Sequence, residues 1–324
     1  MTSHPPASAS RAISTQVMLA LGVVYVVWGS TYLAIRFAVE GLPPFVMAGL
    51  RFFLAGLLMV AFGLASGQSR PSGREIAWSS IVGLLLLVGG NGFVVWAEQF
   101  VSSGMAALMV ATVPLWILGL EACLKDGARP APLGVAGVLL GFGGVLTLMW
   151  PKLATGASQS LLAQGAVVLA SLLWAIGSVL ARRVPLPASG VYHSGISMLA
   201  GSAGFLALAL AFGEPSRFAW ASVPTSAWLA LAYLVTFGSC IGFSAYAWLV
   251  RNAEPSLSST YAYVNPVVAV LLGAVLVAEP VDAWLVAGAG LIVVSVMLVI
   301  RGGRKARLEP AAPGARPQES AERA

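Results

Sequence analysis

The stretch VMLALGVVYVVWGSTYLAIR, residues 17–36, shows the pattern that the rest of the chain repeats. It carries no charge before Arg36, and about 20 mainly apolar residues suffice for one helix to cross a bilayer. Because no clear small-residue cleavage site follows it, we expect a retained span rather than a removed signal peptide. Of the 324 residues, 58% are apolar and 9% are charged, whereas soluble domains average about 25% charged residues. The composition predicts an all-α polytopic membrane protein.

The composition also excludes several classes of protein. So little charge is incompatible with a water-facing surface, with intrinsic disorder or with a nucleic-acid-binding face. Cys123 and Cys240 lie in apolar runs and form neither a disulfide framework nor a metal-ligand spacing. His4 and His193 are the two histidines, too few for a multi-histidine metal site. The sequence lacks a G-x-x-x-x-G-K-S/T loop and therefore cannot itself couple ATP hydrolysis to transport. We expect no cofactor and no metal.

Ten apolar stretches are long enough to be membrane spans. They are residues 17–38, 45–66, 76–98, 104–124, 132–150, 162–181, 190–212, 226–250, 257–278 and 282–300. The connections between them are short and rich in glycine and proline, so none can hold a soluble domain. The chain thus divides into an N-terminal tail (1–16), two five-span units (17–150 and 162–300) and a basic tail (301–324).

The positive charges orient the spans. With the N-terminus in the cytoplasm, fourteen Lys and Arg residues fall on the inside, whereas Lys152 and Arg217 fall outside. Such a bias is typical of cytoplasmic segments. It predicts that both termini are cytoplasmic, and it explains the net charge of +6 without a nucleic-acid partner.

The two units repeat each other. Trp28 and Arg36 are spaced like Trp174 and Arg182, 146 residues later, and the interval from Trp96 to Pro114 recurs 152 residues later. Because each unit has five spans, an odd number, the second must enter the membrane from the opposite side. This predicts a 5+5 inverted-topology repeat, an arrangement that secondary transporters use to place a solute site near the midplane.

Short motifs in this order resemble the drug/metabolite transporter superfamily, in its ten-span EamA-type branch. They are WGSTY at 28–32, RF at 51–52, NG at 91–92, Glu98, SGMAA at 103–107 and YAYVNP at 261–266. The resemblance covers residues 17 to 300. It implies a bacterial inner-membrane location and efflux of amino acids, related metabolites or toxic analogues, without implying a particular substrate.

Aromatic and polar side chains form stripes on several spans. Tyr25, Trp28, Tyr32 and Arg36 share one helical face, and Ser171, Trp174, Ser178 and Arg182 repeat it. Such a stripe should face protein or a wet cavity. The alternative is an interfacial aromatic belt, but Trp28 lies too deep for one. The candidates for solute binding are Tyr25, Trp28, Tyr32, Asn91, Thr112, Trp116, Trp174, Ser178, Tyr246, Tyr263 and Asn265.

Three ionisable residues near the outer side are candidates for a gate or for proton coupling. They are Arg36, Arg51 and Glu98, with Glu40 four residues beyond Arg36. The alternative is that these side chains snorkel to the interface. Glu121, at the inner end of the fourth span, is expected to snorkel or to pair with Lys125.

Pro114 and Pro266 occupy matching places in the fourth and ninth spans. Proline inside a helix removes one hydrogen bond and bends the helix. The two residues are therefore hinge candidates, with simple packing as the alternative.

These features together predict a secondary active transporter, not an enzyme, that exports small organic metabolites by alternating access. Its partners would be a solute, the bilayer and protons as a candidate coupling ion, in a monomer, with a dimer left open. The alternatives are a gated channel, a scaffold that does not transport, and an intramembrane hydrolase. The hydrolase is disfavoured because His193 has no evident buried serine partner in a G-x-S-x-G context.

Overall fold

The computed structural model describes residues 15–124, 131–156, 158–217, 219–253 and 260–308, and these ranges are helical without a strand. Eight helices are long and apolar enough to cross a membrane, and two shorter apolar helices follow. The eight are α1 (Thr15–Val39), α2 (Pro44–Ala65), α3 (Gly73–Ala97), α4 (Ser103–Cys123), α5 (Pro132–Thr155), α6 (Ser158–Ala181), α7 (Gly190–Ala211) and α8 (Thr225–Leu249). The two shorter apolar stretches, Val264–Val277 and Ala283–Val299, belong to helices α9 (Tyr261–Val277) and α10 (Ala283–Leu308).

Several boundaries differ from the predicted spans. Helix α5 continues through Pro151 to Thr155, and α6 begins at Ser158, so the connection between them is shorter than the predicted residues 151–161. Pro151 can remain helical because it lies in the last turns of α5, where few backbone bonds depend on it. The predicted start of the ninth span lies at residues 254–259, outside the described residues.

Helices α3 and α8 each contain an eight-residue π-helical stretch, Leu84–Asn91 and Leu234–Ile241. The sequence pattern did not predict them, because hydropathy does not reveal a change of hydrogen-bond register from i→i+4 to i→i+5. π-Helical turns are rare and are frequent at functional sites. The two stretches occupy matching places, 150 residues apart, in the two halves of the chain.

Helices α2 and α7 pack closely in antiparallel fashion. Gly49, near the start of α2, lies against Leu206 near the end of α7, and Gly63, near the end of α2, lies against Tyr192 near the start of α7. Glycine lets two helix backbones approach closely where lipid gives little hydrophobic drive to pack.

Residues beyond the ends of these two helices reinforce the antiparallel pairing. Glu214, which follows α7, accepts hydrogen bonds from the backbone N–H groups of Phe45 (3.2 Å) and Val46 (2.8 Å) at the start of α2. Gln68, which follows α2, accepts a hydrogen bond from Ser189, the N-cap of α7. The start of α2 is thereby capped by the other half of the chain, whereas α7 is capped by its own Ser189, which bonds to Gln68 of the other half.

Helices α5 and α10 form the corresponding antiparallel pair in the other part of the bundle. Gly137 lies against Val299, and Gly288 lies against Leu148. Other contacts also join a helix of the first half to a helix of the second half. Helix α1 packs against α8 and α9, and α6 packs against α3 and α4. The apolar core fills the space between these pairs, and large apolar side chains such as Leu139 and Leu210 remain exposed on the outside.

Gly83 marks the closest approach of α3 and α7. A Cβ atom there would lie 2.4 Å from the carbonyl oxygen of Ser197. We expect Gly83→Ala to lower the free energy of unfolding in detergent by about 1–3 kcal/mol, because the backbone of α7 must move. Gly165, in α6, is the matched control: a Cβ there meets no atom within 4 Å, so Gly165→Ala should be neutral or stabilising. Equal stability of the two variants would contradict this packing.

Candidate functional site

An ion pair closes one end of the bundle, called here the Arg36 end. Arg36 Nη1, in the last turn of α1, lies 2.7 Å from Oε1 of Glu279. The Glu279 carboxylate also accepts hydrogen bonds from Ser103 N (3.0 Å), Ser103 Oγ (2.9 Å) and Gly104 N (3.3 Å). It thereby caps the positive N-terminus of α4 as well as neutralising Arg36. One carboxylate joins α1, α4 and the end of α9.

A strained residue directs Glu279 to this position. Ala278, just after α9, has φ of 52°, in the left-handed region. This conformation costs a non-glycine residue about 1–2 kcal/mol. It folds the chain back so that Glu279 N donates to Gly273 O at 3.0 Å. The sequence analysis missed Glu279; its position at the end of an apolar span was the available signal.

A second ion pair lies at the opposite end of the bundle, called here the Arg182 end. Arg182 Nη1, directly after α6, donates to Glu121 Oε1 in α4 at 2.8 Å. The two side chains are 54% and 29% exposed, so the pair contributes roughly 0–1 kcal/mol. The sequence analysis expected Glu121 to snorkel or to pair with Lys125, whereas the structure pairs it with Arg182. Lys125 lies outside the described residues.

Arg51 and Glu98 are both buried near the Arg36 end. Arg51 Nε donates to Ser239 Oγ at 3.0 Å, and its guanidinium lies 4.7 Å from the Phe52 ring centroid. Within the described ranges, neither Glu98 oxygen nor Arg51 Nη1 has a hydrogen-bond partner. Glu98 lies within electrostatic range of Arg36, Arg51 and Glu279. The structure therefore brings the three predicted ionisable residues together and adds Glu279, while Arg36 pairs with Glu279 rather than with Glu40.

A cavity of about 440 Å³ lies at the Arg36 end. It is lined by Arg36, Val39, Glu40, Glu98, Gln99, Phe100, Val101 and Ser102. Two predicted site residues, Arg36 and Glu98, thus face a space large enough for several water molecules. Glu98 lines this cavity, but both of its carboxylate oxygens are buried.

Trp28 lies in an aromatic cluster between α1, α8 and α9. Its ring centroid is 5.3 Å from that of Phe243, 5.0 Å from Tyr246 and 5.4 Å from Tyr261. Its indole N–H donates to Gly238 O, in the π-helical stretch of α8, at 3.2 Å. Trp28 is therefore held by residues of the other half of the chain.

Trp174, in the second half of the chain, lies against a glycine of the first half in the same way. A Cβ on Gly242 would lie 2.5 Å from Trp28 Nε1, and a Cβ on Gly90 would lie 2.8 Å from Trp174 Cε3. Gly90 and Gly242 lie in or next to the two π-helical stretches, so each tryptophan fits against a glycine of the opposite half. Neither tryptophan lines the cavity at the Arg36 end.

A line of polar side chains connects the two ends of the bundle. Glu98 is within electrostatic range of Tyr32, and Tyr32 is within range of Tyr261. The rings of Tyr261 and Tyr246 lie edge to face with their centroids 5.4 Å apart, and both side chains are within electrostatic range of Arg182. The line starts beside the Arg36–Glu279 pair and ends at the Arg182–Glu121 pair. Tyr261 was not among the predicted site residues, although it lies in the YAYVNP motif.

Three other predicted residues have polar atoms left without partners. In the described part of the chain, Asn91 Oδ1, Asn265 Oδ1 and Trp116 Nε1 are buried and accept or donate no hydrogen bond. Such atoms cost free energy unless a ligand or water meets them. Gln164, which the sequence analysis missed, belongs with them: its Nε2 lies 3.1 Å from Met105 Sδ, and its Oε1 has no partner among the described residues. It precedes Ser171 by seven residues on the same face of α6.

The remaining candidates bond locally or lie elsewhere. Thr112 Oγ1 donates to Met109 O at 2.7 Å, and Ser178 Oγ donates to Trp174 O at 2.8 Å, both within their own helices. Tyr25 hydrogen-bonds to Thr260. The side chain of Tyr263 lies outside the described residues.

The two prolines differ in their local structure. Helix α4 is interrupted at Ala111 and Thr112, and Pro114 occupies the first turn of its second segment, where its missing N–H costs little. Pro266 lies inside α9, which continues through it to Val277. The hinge role of both residues stays a prediction.

His193 contacts a buried serine, Ser79, which lies outside any G-x-S-x-G context. Its Nδ1 lies 3.1 Å from Ser79 Oγ, and Ser197 Oγ donates to Ser79 O at 2.9 Å. Ser79 is 0% exposed, so the hydroxyl has no space beside it for a substrate. The contact joins α3 to α7. Among the described residues, no three His, Cys, Asp or Glu side chains gather as a metal site.

Comparison with known proteins agrees with this arrangement. The model of the EamA-like transporter family matches residues 15–150 and again residues 161–301. The "Uncharacterized inner membrane transporter YedA" of Escherichia coli is 41% identical over 289 residues, covering 87% of this chain and 90% of that protein. An "Uncharacterized transporter" of Archaeoglobus fulgidus is 25% identical, covering 88% and 98%. A solved protein crystal structure shares the fold with a TM-score of 0.60 at 23% identity, covering 88% of this chain and 97% of that one.

The fold and these matches define a membrane transporter. The chain belongs to the EamA-like transporter family, as its resemblance to the drug/metabolite transporter superfamily predicted.

The strained turn before Glu279 gives a test of this site. We expect Ala278→Gly to raise the free energy of unfolding by up to about 1 kcal/mol, because glycine adopts a positive φ without a Cβ clash. The control is Ala232→Gly, at an exposed position inside α8, which should destabilise by about 0.5–1 kcal/mol. Thermal unfolding of the purified variants measures both. A loss of stability for Ala278→Gly equal to that of the control would contradict the assigned turn.

Proposed function

We propose that this protein is a secondary active transporter that exports small organic solutes across the inner membrane of a bacterial cell by alternating access. The observation that carries the proposal is the line of polar side chains from the Arg36 end to the Arg182 end. Buried polar groups are costly in lipid and are retained mainly where a solute, ion or proton passes. An ion pair stands at each end of this line.

An inverted repeat of residues 17–150 and 162–300 would provide the alternating motion. Three observations support it: the antiparallel pairing of α2 with α7 and of α5 with α10, the matching π-helical stretches in α3 and α8, and the two successive matches of the family model. Two units of opposite orientation can exchange conformations, which opens the shared site first to one side and then to the other.

The distribution of Lys and Arg supports an orientation of the protein in the membrane. The Arg36 end faces the outside, and the Arg182 end, with both termini, faces the cytoplasm. The E. coli relative carries the name of an inner membrane transporter, which supports the same membrane for this chain.

The chemistry around the polar line suggests the kind of solute. Trp28, Tyr246 and Tyr261 offer aromatic faces, and the unpartnered amide oxygens of Asn91 and Asn265 accept hydrogen bonds. Such a combination of apolar surface with a few polar groups is typical of small-molecule sites. We therefore propose partly apolar metabolites, such as amino acids, or drugs as solutes. A gated channel is the second candidate, because a continuous polar line can also conduct.

Solute flux in proteoliposomes tests the transporter against the channel. A transporter should exchange a labelled solute for the unlabelled solute inside the vesicle without ATP. Trp28→Ala and Trp174→Ala should each lower this exchange about tenfold, because a buried aromatic contact is worth about 1–3 kcal/mol. Trp150→Ala is the matched control, since Trp150 is 54% exposed on the outside of α5.

The outcomes of this experiment separate the alternatives. Flux that requires ATP and a second protein would overturn the proposal. Downhill flux without accelerated exchange would favour the channel. Normal exchange in both tryptophan variants would remove Trp28 and Trp174 from the solute path.

Glu98 is proposed as the group that carries the coupling proton. Glu98 lines the cavity at the Arg36 end, and its buried carboxylate has no hydrogen-bond partner in the described ranges. We expect Glu98→Gln to abolish transport driven by a pH gradient while solute exchange persists, because glutamine cannot release a proton. Glu40→Gln is the control, because Glu40 lines the same cavity but is exposed. A Glu98→Gln protein that still accumulates solute in response to a pH gradient would discard this role.

A further inference from the structure

The two ion pairs occupy corresponding places in the two halves of the chain. Arg36 ends α1 and meets Glu279 beyond the end of α9. Arg182 follows the end of α6 and meets Glu121 in the last turns of α4. In each case the arginine at the end of the first helix of one half pairs with a glutamate at the end of the fourth helix of the other half. The two arginines are 146 residues apart, the offset of the sequence repeat, whereas the two glutamates are not. The two ion pairs therefore correspond in their position in the fold rather than in aligned sequence positions.

From this geometry we propose that the two pairs are reciprocal locks: each closes its own end of the solute path, both are formed in this structure, and only one of them breaks at a time. The proposal rests on the proposed alternating access and assigns roles to Glu279, Arg182 and Glu121. Each pair joins the two halves at one end of the polar line. Because the halves move against each other, a motion that separates α1 from α9 at the Arg36 end keeps α6 and α4 pressed together at the Arg182 end.

The locks differ in strength in this structure. Glu279 is 6% exposed as a side chain and is bonded to Arg36, Ser103 and Gly104. Glu121 is 29% exposed and is bonded to Arg182, whose side chain is 54% exposed. Since charge-assisted bonds to a buried carboxylate are stronger than exposed pairs, the lock at the Arg36 end is the firmer one. Breaking it should therefore change the balance of conformations more than breaking the pair at the Arg182 end.

Thiol labelling of purified protein in nanodiscs tests the locks without any solute. In a Cys123→Ala, Cys240→Ala background, Val101→Cys reports access at the Arg36 end, because Val101 lines the cavity there and is only 8% exposed while the lock is closed. We expect Glu279→Gln and Arg36→Gln each to speed maleimide labelling about tenfold, the change in population that loss of one charge-assisted hydrogen bond gives. These two variants change the local charge in opposite directions, so a shared increase cannot come from the electrostatics of the thiol. Glu40→Gln, a charge change at the same cavity, should leave the rate unaltered.

The lock at the Arg182 end is tested on the same reporter, far from the mutated pair. Glu121→Gln and Arg182→Gln should each slow labelling of Val101→Cys by about twofold, because the bundle then opens more often at the Arg182 end and less often at the other. The charge swap Glu121→Arg with Arg182→Glu should restore the original rate. Arg183→Gln, beside the pair and exposed, is the control.

These outcomes decide the proposal. Labelling that is unchanged in all four variants, or that moves in one direction for the variants of both pairs, overturns the reciprocal locks. If Glu279→Gln fails to fold because α4 loses its cap, Arg36→Gln tests the same lock with that cap intact. Shifts in labelling as expected, combined with no solute flux in proteoliposomes, would retain the locks and overturn the proposed transport.

Discussion

Charge in a medium without water is the constraint on which this structure depends. A bilayer offers no partner to a carboxylate or guanidinium, so each must be paired, capped or exposed to a wet cavity. Glu279 satisfies this condition most fully, since one carboxylate neutralises Arg36 and caps the N-terminus of α4. The strain at Ala278 is a small cost beside that of leaving such a carboxylate unpaired. Three helices are thereby fixed at the Arg36 end.

Where this condition is not met, the structure points to function. Glu98, Asn91, Asn265 and Gln164 keep buried polar atoms without partners in the described part of the chain. They adjoin either the cavity at the Arg36 end or the helices that carry the polar line. The two π-helical stretches and the glycines beside them let Trp28 and Trp174 approach the backbone of the opposite half. Close packing at glycines holds α2 to α7 and α5 to α10.

Much of this organisation was accessible to pattern reasoning. Long uncharged runs predict membrane helices because a bilayer demands a fixed apolar length, and the chain's membership of a transporter family agrees with its motifs. Trp28, Arg36 and Glu98 were found because their spacing places them on helical faces. Glu279 and Gln164 were missed, since a single polar residue at a span end or within an apolar run has no periodic partner to reveal it. The contact of His193 with Ser79 joins residues 114 apart, a distance that spacing arguments cannot bridge.

The sequence by itself determined the membrane class, the approximate spans, the repeat of tryptophan and arginine positions and the candidate stripes. These properties depend on composition and on residues close together in the chain, where helix geometry fixes which side chains share a face. The tertiary structure decided which charges pair, where the helices turn π-helical and which polar atoms remain unsatisfied. Those outcomes depend on contacts between helices far apart in the chain, and a local pattern cannot specify them because several partners of suitable charge are available to each arginine.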